Sequence, residues 1–243
     1  MAHRDDAPVN LSLFAPEVPD GFEYRADFVT SVEQSDLLDH VAMTEFSNFE
    51  MRGVVARRRV AFFGSSYDDD LPSAGEIPAF LHPVRARAAA WAGVAPEAFE
   101  MALINEYRPG APIGWHRDAP QYGIIAGISL ASPCQMRFRP YARPSARRPA
   151  SHPAPRKTTH EVLLESRSAY LITGASRQQY EHSIPAVAAL RYSITFRTRR
   201  ADRPSILSQK KHMKVMKGLE IMKKHSDSFF MAYMFHVLHV VLF

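Results

Sequence analysis

From Arg191 to Arg197 the chain reads Arg-Tyr-Ser-Ile-Thr-Phe-Arg, and an extended backbone turns that alternation into two unlike faces. Tyr192, Ile194 and Phe196 make one face apolar; Arg191, Ser193, Thr195 and Arg197 make the other polar and cationic. Such a strand has two places to go. It can lie at a surface where the polar face meets water, or it can turn that face inward, where two guanidinium groups cost stability unless an anion pairs with them. A dicarboxylate is a suitable anion, because arginine offers a planar two-pronged donor and Ser193 adds a hydroxyl.

A second stretch, Leu103 to Asp118 (LINEYRPGAPIGWHRD), supplies groups of a different chemistry. It begins as a strand-like run ending in Tyr107, with Asn105 and Tyr107 on one face. Beyond a Pro/Gly-containing turn it places His116 and Asp118 two residues apart, so that an extended chain presents an imidazole and a carboxylate to one side. Two ligands do not make a metal site. A third is offered by His182, in what reads as a loop from Gly174 to Pro185 that follows an apolar strand candidate, Ser168 to Thr173. Two imidazoles and one carboxylate are the facial set that holds Fe(II) and leaves positions open for a bidentate co-substrate and O2.

The ordered set Asn105-x-Tyr107, His116-x-Asp118, His182 and Arg191 to Arg197 resembles the AlkB family of Fe(II)- and 2-oxoglutarate-dependent dioxygenases, over about Val18 to Arg199. The resemblance implies an α+β, mainly β fold: a double-stranded β-helix, or jelly-roll, with N-terminal helices and a substrate lid. It implies Fe(II) on His116, Asp118 and His182, and 2-oxoglutarate and O2 as co-substrates. Arg191 and Tyr107 would take the distal carboxylate of 2-oxoglutarate, with Ser193 beside them; Asn105 and Arg197 would sit near its chelating end. The implied reaction is oxidative dealkylation, in which an N-alkyl carbon is hydroxylated and lost as an aldehyde while 2-oxoglutarate becomes succinate and CO2.

The implied substrate is an N-alkylated base in DNA or RNA, flipped out for access. The chain's net charge of +5 is compatible with a polyanionic partner, and its basic residues cluster at Arg52 to Arg59 and Arg137 to Lys157. In the lid neighbourhood Arg58 is a candidate phosphate contact, and Phe63 and Tyr67 are candidate platforms for a base. A solvated charge run beside core aromatics accounts for the same residues. Members of the family that act on bases carry an acidic residue two positions beyond the metal Asp, where this chain has Pro120. A protein side chain as substrate, and a catalytically silent binding module on the same fold, therefore remain as alternatives.

The chain's 243 residues suffice for one cored domain with extensions. We expect a tail over 1–17, the dioxygenase domain over 18–200 and a non-catalytic extension over 201–243. The single cysteine, Cys134, excludes an intramolecular disulfide and fits a reducing, cytoplasmic setting. No membrane partner is expected, since the apolar run Phe229 to Phe243 is shorter than the roughly 20 residues a helix needs to cross a bilayer. A monomer is expected. Helices are expected from Ser31 or Ser35, with a capping box at Ser31-Val-Glu-Gln, and within Pro78 to Ala92, with Pro83 in the first turn and Gly93 as the C-terminal cap.

Overall fold

Two antiparallel sheets carry the chain, and the order of their strands decides which side chains face one another. In a computed structural model, residues 18–51, 54–65, 75–141 and 159–200 are described; the expected tail, Tyr67, most of the basic loop and the C-terminal extension lie outside them. The first elements are β1 (Phe22–Arg25), α1 (Ser31–Ala42), β2 (Ser47–Met51), β3 (Val54–Gly64) and α2 (His82–Ala92). There follow β4 (Phe99–Tyr107), β5 (Ile113–His116), β6 (Tyr122–Leu130) and β7 (Cys134–Pro140). The last are β8 (His160–Leu164), β9 (Ala169–Ile172), α3 (Gly174–Gln178), β10 (Tyr180–Ile184) and β11 (Arg191–Arg199).

The larger sheet has the order β1-β9-β6-β11-β4-β3-β2, and the smaller β5-β10-β7-β8. Their inner faces share one apolar cluster, in which Tyr107, Ile125, Tyr170 and Ile172 of the larger sheet meet Met136, Phe138, Val162 and Ile184 of the smaller. This is the jelly-roll arrangement. The outer face of the larger sheet is covered by α1 and α2, whose Leu37, Val41, Val84 and Ala88 pack with Ile104, Ile128, Ile194 and Phe196.

β11 lies between β6 and β4, so both of its edges are hydrogen-bonded. Its apolar residues Ile194 and Phe196 are fully buried toward the helices. The pleat then forces Arg191, Ser193, Thr195 and Arg197 toward the smaller sheet, and all four are buried there. Of the two destinations open to this strand, the surface is ruled out. Two sheets stacked about 10 Å apart leave no room for bulk water between them.

The helices differ from expectation in detail. Thr30, not Ser31, caps α1: its hydroxyl accepts the Glu33 amide and Glu33 in turn accepts the Thr30 amide. The capping box is therefore shifted one residue toward the N-terminus, because the Thr30 backbone is extended and Ser31 is already helical. Pro83 occupies the first turn of α2, after a short 3-10 turn at Ala79–Leu81, and Gly93 closes the helix in the left-handed conformation at φ 69°. Among the described residues no helix is long and apolar enough to cross a membrane.

The two helices are joined by Arg87 of α2, which pairs with Glu33 of α1 and donates from Nη1 to the Phe28 carbonyl at 2.7 Å. Arg87 holds the Glu33 carboxyl down to about 2, helped by the Thr30 amide. A depressed carboxyl stabilises the fold above its unfolded value of 4.5, and that contribution is lost as pH falls toward 2. Arg87→Met should therefore cost about 1 kcal/mol at neutral pH, the scale of a half-exposed ion pair. Urea unfolding of both proteins should show the difference shrinking below about pH 4.5; a difference that grows on acidification would contradict the assignment.

Candidate active site

His116 ends β5 and His182 sits in the middle of β10, directly opposite it in the antiparallel register. The pairing brings the two imidazoles to 4.3 Å between ring centroids. His182 thus lies on a strand and not in the loop expected for it; only Gly174–Gln178 of that segment is helical, and Tyr180–Ile184 pairs with both β5 and β7. Asp118 follows β5 in the connection to β6, and its Oδ2 stands 3.5 Å from His182 Nε2. One ligand atom from each of His116, Asp118 and His182 lies within 4.8 Å of the others, a spacing that one metal ion can bridge.

Local hydrogen bonds prepare these groups as ligands. His116 Nδ1 donates to the Gly114 carbonyl at 2.9 Å, which leaves the Nε2 lone pair free. Burial, and then the neighbouring His116, push His182 down to about 3, so its imidazole is neutral across the physiological range. Burial would raise the Asp118 carboxyl, but Arg197, His182 and His116 together outweigh it and hold the group well below its ordinary range. An ionised carboxylate beside two imidazoles, with His182 neutral, is a donor set that a divalent ion takes.

Arg197 is the main agent. Its Nε and Nη2 donate to Asp118 Oδ1 at 3.1 and 2.8 Å, and its Nη1 donates to Thr195 Oγ1 at 2.9 Å. The guanidinium crosses from the larger sheet to grip the connection that carries Asp118. Arg177 of α3 holds the same connection from its other side, donating from Nη2 to the carbonyls of Ala119 at 2.6 Å and Tyr122 at 3.0 Å. Nothing in the sequence around Arg177 marks it for this role, since its partners are main-chain oxygens.

The remaining candidates line the inner face of the larger sheet. Ser193 lies opposite Asn105 on one side and Ser129 on the other, and Arg191 lies opposite Tyr107. Asn105 Oδ1 accepts from Arg58 Nε at 3.2 Å, and Asn105 Nδ2 donates to Ser193 Oγ at 3.4 Å. Arg191 is 0% exposed; its Nε donates to Ser129 Oγ at 3.2 Å, and its carbon Cζ lies 5.1 Å from the Tyr107 ring centroid. Its Nη1 and Nη2 have no hydrogen-bond partner among the described residues. Leaving two guanidinium nitrogens buried and unpaired is costly, and a carboxylate bound beside them removes that cost.

The lid candidates separate. Arg58 is buried, with its guanidinium 4.2 Å from the Phe49 ring centroid and its Nε on Asn105, so it points into the cavity wall and away from the outer surface. Phe63 lies on the opposite face of β3 and packs with Ala61 on the cluster beneath the helices. It is Phe62, paired with Leu103, that shares the inner face with Val60 and Asn105, and its ring lies 6.5 Å from that of Phe49. Two adjacent phenylalanines cannot be told apart without the register that fixes which one turns inward.

Comparison with known proteins agrees with this geometry. Residues 24–200 match the 2OG-Fe(II) oxygenase superfamily. An Arabidopsis thaliana protein named "Alkylated DNA repair protein ALKBH8 homolog" is 28% identical over 75% of this chain and 55% of its own length. The Mus musculus "tRNA (carboxymethyluridine(34)-5-O)-methyltransferase ALKBH8" is 27% identical over 72% of this chain and 25% of its own. The chain thus spans about half or less of the length of these two relatives. Among solved structures, that of OsALKBH1 superposes with a TM-score of 0.56 at 15% identity, covering 75% of this chain and 100% of that one, which is a likeness of fold.

The Arg197–Asp118 pair yields a prediction. Arg197→Leu leaves a buried carboxylate without its principal partner and should destabilise the metal-free protein by about 3 kcal/mol in urea. Asp118 stabilises the fold above its ordinary value of 3.8 and loses that effect as pH falls below it, so the variant should also unfold at a higher pH than wild type in an acid titration followed by circular dichroism. Coincident acid curves would show that Arg197 does not set the state of Asp118. The chain belongs to the 2OG-Fe(II) oxygenase superfamily, and within it is AlkB-like.

Proposed function

We propose that this oxygenase removes alkyl groups oxidatively from N-alkylated bases in DNA or RNA, with Fe(II) held by His116, Asp118 and His182. The two buried Nη nitrogens of Arg191 that lack a partner among the described residues, on the sheet face turned toward the strands of the two His, are the observation that carries the co-substrate assignment. Arg191 and Tyr107 bind the distal carboxylate of 2-oxoglutarate, while Asn105 and Ser193 line the route toward the metal ligands. Arg197 keeps Asp118 ionised and oriented, a duty beside the contact with the keto acid's chelating end that its position also permits.

When bound, iron, 2-oxoglutarate and O2 supply the oxidising power that places a hydroxyl on the carbon next to nitrogen. The protein's part is to orient and to exclude water. Stacked sheets and buried side chains around the triad keep bulk solvent from the reacting carbon, and the neutral His182 holds no proton that would compete with a metal. The hydroxylated N-alkyl group then falls apart to an aldehyde and the free amine.

Support for a base as substrate comes from the names of the two relatives, which refer to alkylated DNA and to tRNA, and from the aromatic pair beside the cavity. Phe49 and Phe62 cluster with Leu103, Tyr122 and Ala119, the residue after Asp118, so a flat ligand lying on them is close to the metal ligands. Aromatic faces of this kind accept bases of any sequence. The pair takes the place that Phe63 and Tyr67 hold in the sequence-based reading.

Two measurements test the proposal. His116→Ala or Asp118→Ala should abolish Fe(II)-dependent formation of succinate, and Arg191→Met should raise the KM for 2-oxoglutarate by about tenfold or more with iron affinity retained, since a charge-assisted bond is lost. Mass spectrometry of nucleosides from N-methylated oligonucleotides, beside methylated peptides treated alike, identifies the substrate. Demethylation or hydroxylation of peptides alone would overturn the nucleic-acid reading and leave the oxygenase chemistry in place.

A further inference from the structure

Tyr170 belongs to no motif in the sequence, yet its ring lies in the apolar cluster between the two sheets. It lies on β9 opposite Gly127 of β6. A Cβ built on Gly127 would fall inside contact distance of Tyr170 Cζ, Oη and Cε1, so the ring is laid flat across the glycine and its tip extends over β6. No other residue type at position 127 leaves that space. Beyond Gly127, in the same row of the sheet, is Thr195 of β11, midway between Ser193 and Arg197. The Phe22 ring stacks on Tyr170 from behind, at 6.1 Å between centroids and 21° between planes, and fixes its direction.

The hydroxyl at the end of this ring lies among polar and charged groups. Arg191, Tyr107, Asp118 and Arg197 are its electrostatic partners, and burial keeps the phenol protonated well above its usual range. It makes no hydrogen bond among the described residues, and neither does the Tyr107 hydroxyl. Nη1 and Nη2 of Arg191 are buried donors left without a partner among the described residues, and the two phenols belong to one cluster on the inner face of the same sheet. Buried donors are rarely left unmade, and this pair calls for a ligand rich in acceptors.

We propose that Tyr170 is a co-substrate-binding residue whose hydroxyl donates to the distal carboxylate of the keto acid beside Arg191 and Tyr107, and that Gly127 is required to let its ring reach there. The inference rests on the 2-oxoglutarate pocket proposed above. A carboxylate has about four lone-pair sites, enough for two guanidinium N–H groups and two phenols. Three of these donors have directions set by packing: Arg191 by Ser129, Tyr107 by its place opposite Arg191, and Tyr170 by Phe22 and Gly127. The site is thereby preorganised for a diacid of fixed reach, and a 2-oxo acid lacking the second carboxylate gains nothing from it.

Titration calorimetry of the full chain loaded with Mn(II), without O2, tests this with two probes. 2-Oxoglutarate should bind Tyr170→Phe about tenfold or more weakly than wild type, the cost of one bond to a charged acceptor. 2-Oxobutyrate, which lacks the distal carboxylate, should bind both proteins equally, and Mn(II) affinity should not change. Unaltered 2-oxoglutarate binding by Tyr170→Phe, with Arg191→Met weakened, overturns the role of Tyr170 and spares the pocket. Unaltered binding by both variants removes the pocket itself. Equal weakening for both keto acids would mean that the phenol acts through packing, and also overturns the proposal. For the glycine, Gly127→Ala should lower the thermal midpoint, and adding Tyr170→Ala should restore part of the loss; a further fall in the double variant would sink the steric relation.

Discussion

A guanidinium buried as deeply as Arg191 is tolerated only where the rest of the fold fixes it in place, because moving a cation out of water costs several kcal/mol even after relaxation. Here the fixing is done by the strand it belongs to. β11 is hydrogen-bonded along both edges, and its other face is anchored by Ile194 and Phe196 in the main core. To turn Arg191 toward water the strand would have to flip, exposing those residues and breaking two ladders. The apolar half of a seven-residue alternation therefore compels its cationic half to remain inside, poised for an anion.

The same constraint organises the division of labour between the sheets. The smaller sheet contributes the two imidazoles, made neighbours by the pairing of β5 with β10. The larger sheet contributes every candidate donor for the keto acid, on β4, β9 and β11. Asp118 belongs to neither; it lies in the connection between them and is held by Arg197 from one side, while Arg177 holds the following residues from the other. The proposed metal ligand and the proposed anion site are thereby linked through a single strand, since Arg191 and Arg197 are both on β11.

Much of this was legible in the sequence, for reasons that can be stated. β11 declares itself because its polar and apolar residues keep a strict two-residue beat, and Gly93 and Pro83 mark the ends of α2 because backbone sterics leave few other uses for them. His182 is legible as a ligand candidate but not as a strand residue, because the polar run Ser176 to Gln179 before it and Pro185 after it read as a loop: its strand identity comes from pairing with β5 and β7, a tertiary fact. Phe62 and Phe63 exchange roles for the same reason. Tyr170 and Arg177 escaped notice altogether, since one acts across a glycine on another strand and the other binds main-chain oxygens.

The coupling between the two halves of the site reaches the substrate side as well. Arg58 lies on β3, the strand that also carries Phe62, yet its Nε bonds Asn105 on the keto-acid wall, and its guanidinium lies over Phe49. Burial lowers its affinity for a proton, with Tyr107 and the carboxylate of Asp118 acting against that and Arg197 adding to it. A ligand that displaces Phe49 thus also uncovers Arg58, and whatever moves Arg58 alters the hydrogen bond that orients Asn105. The aromatic pair and the wall proposed for the keto acid thus share this one side chain.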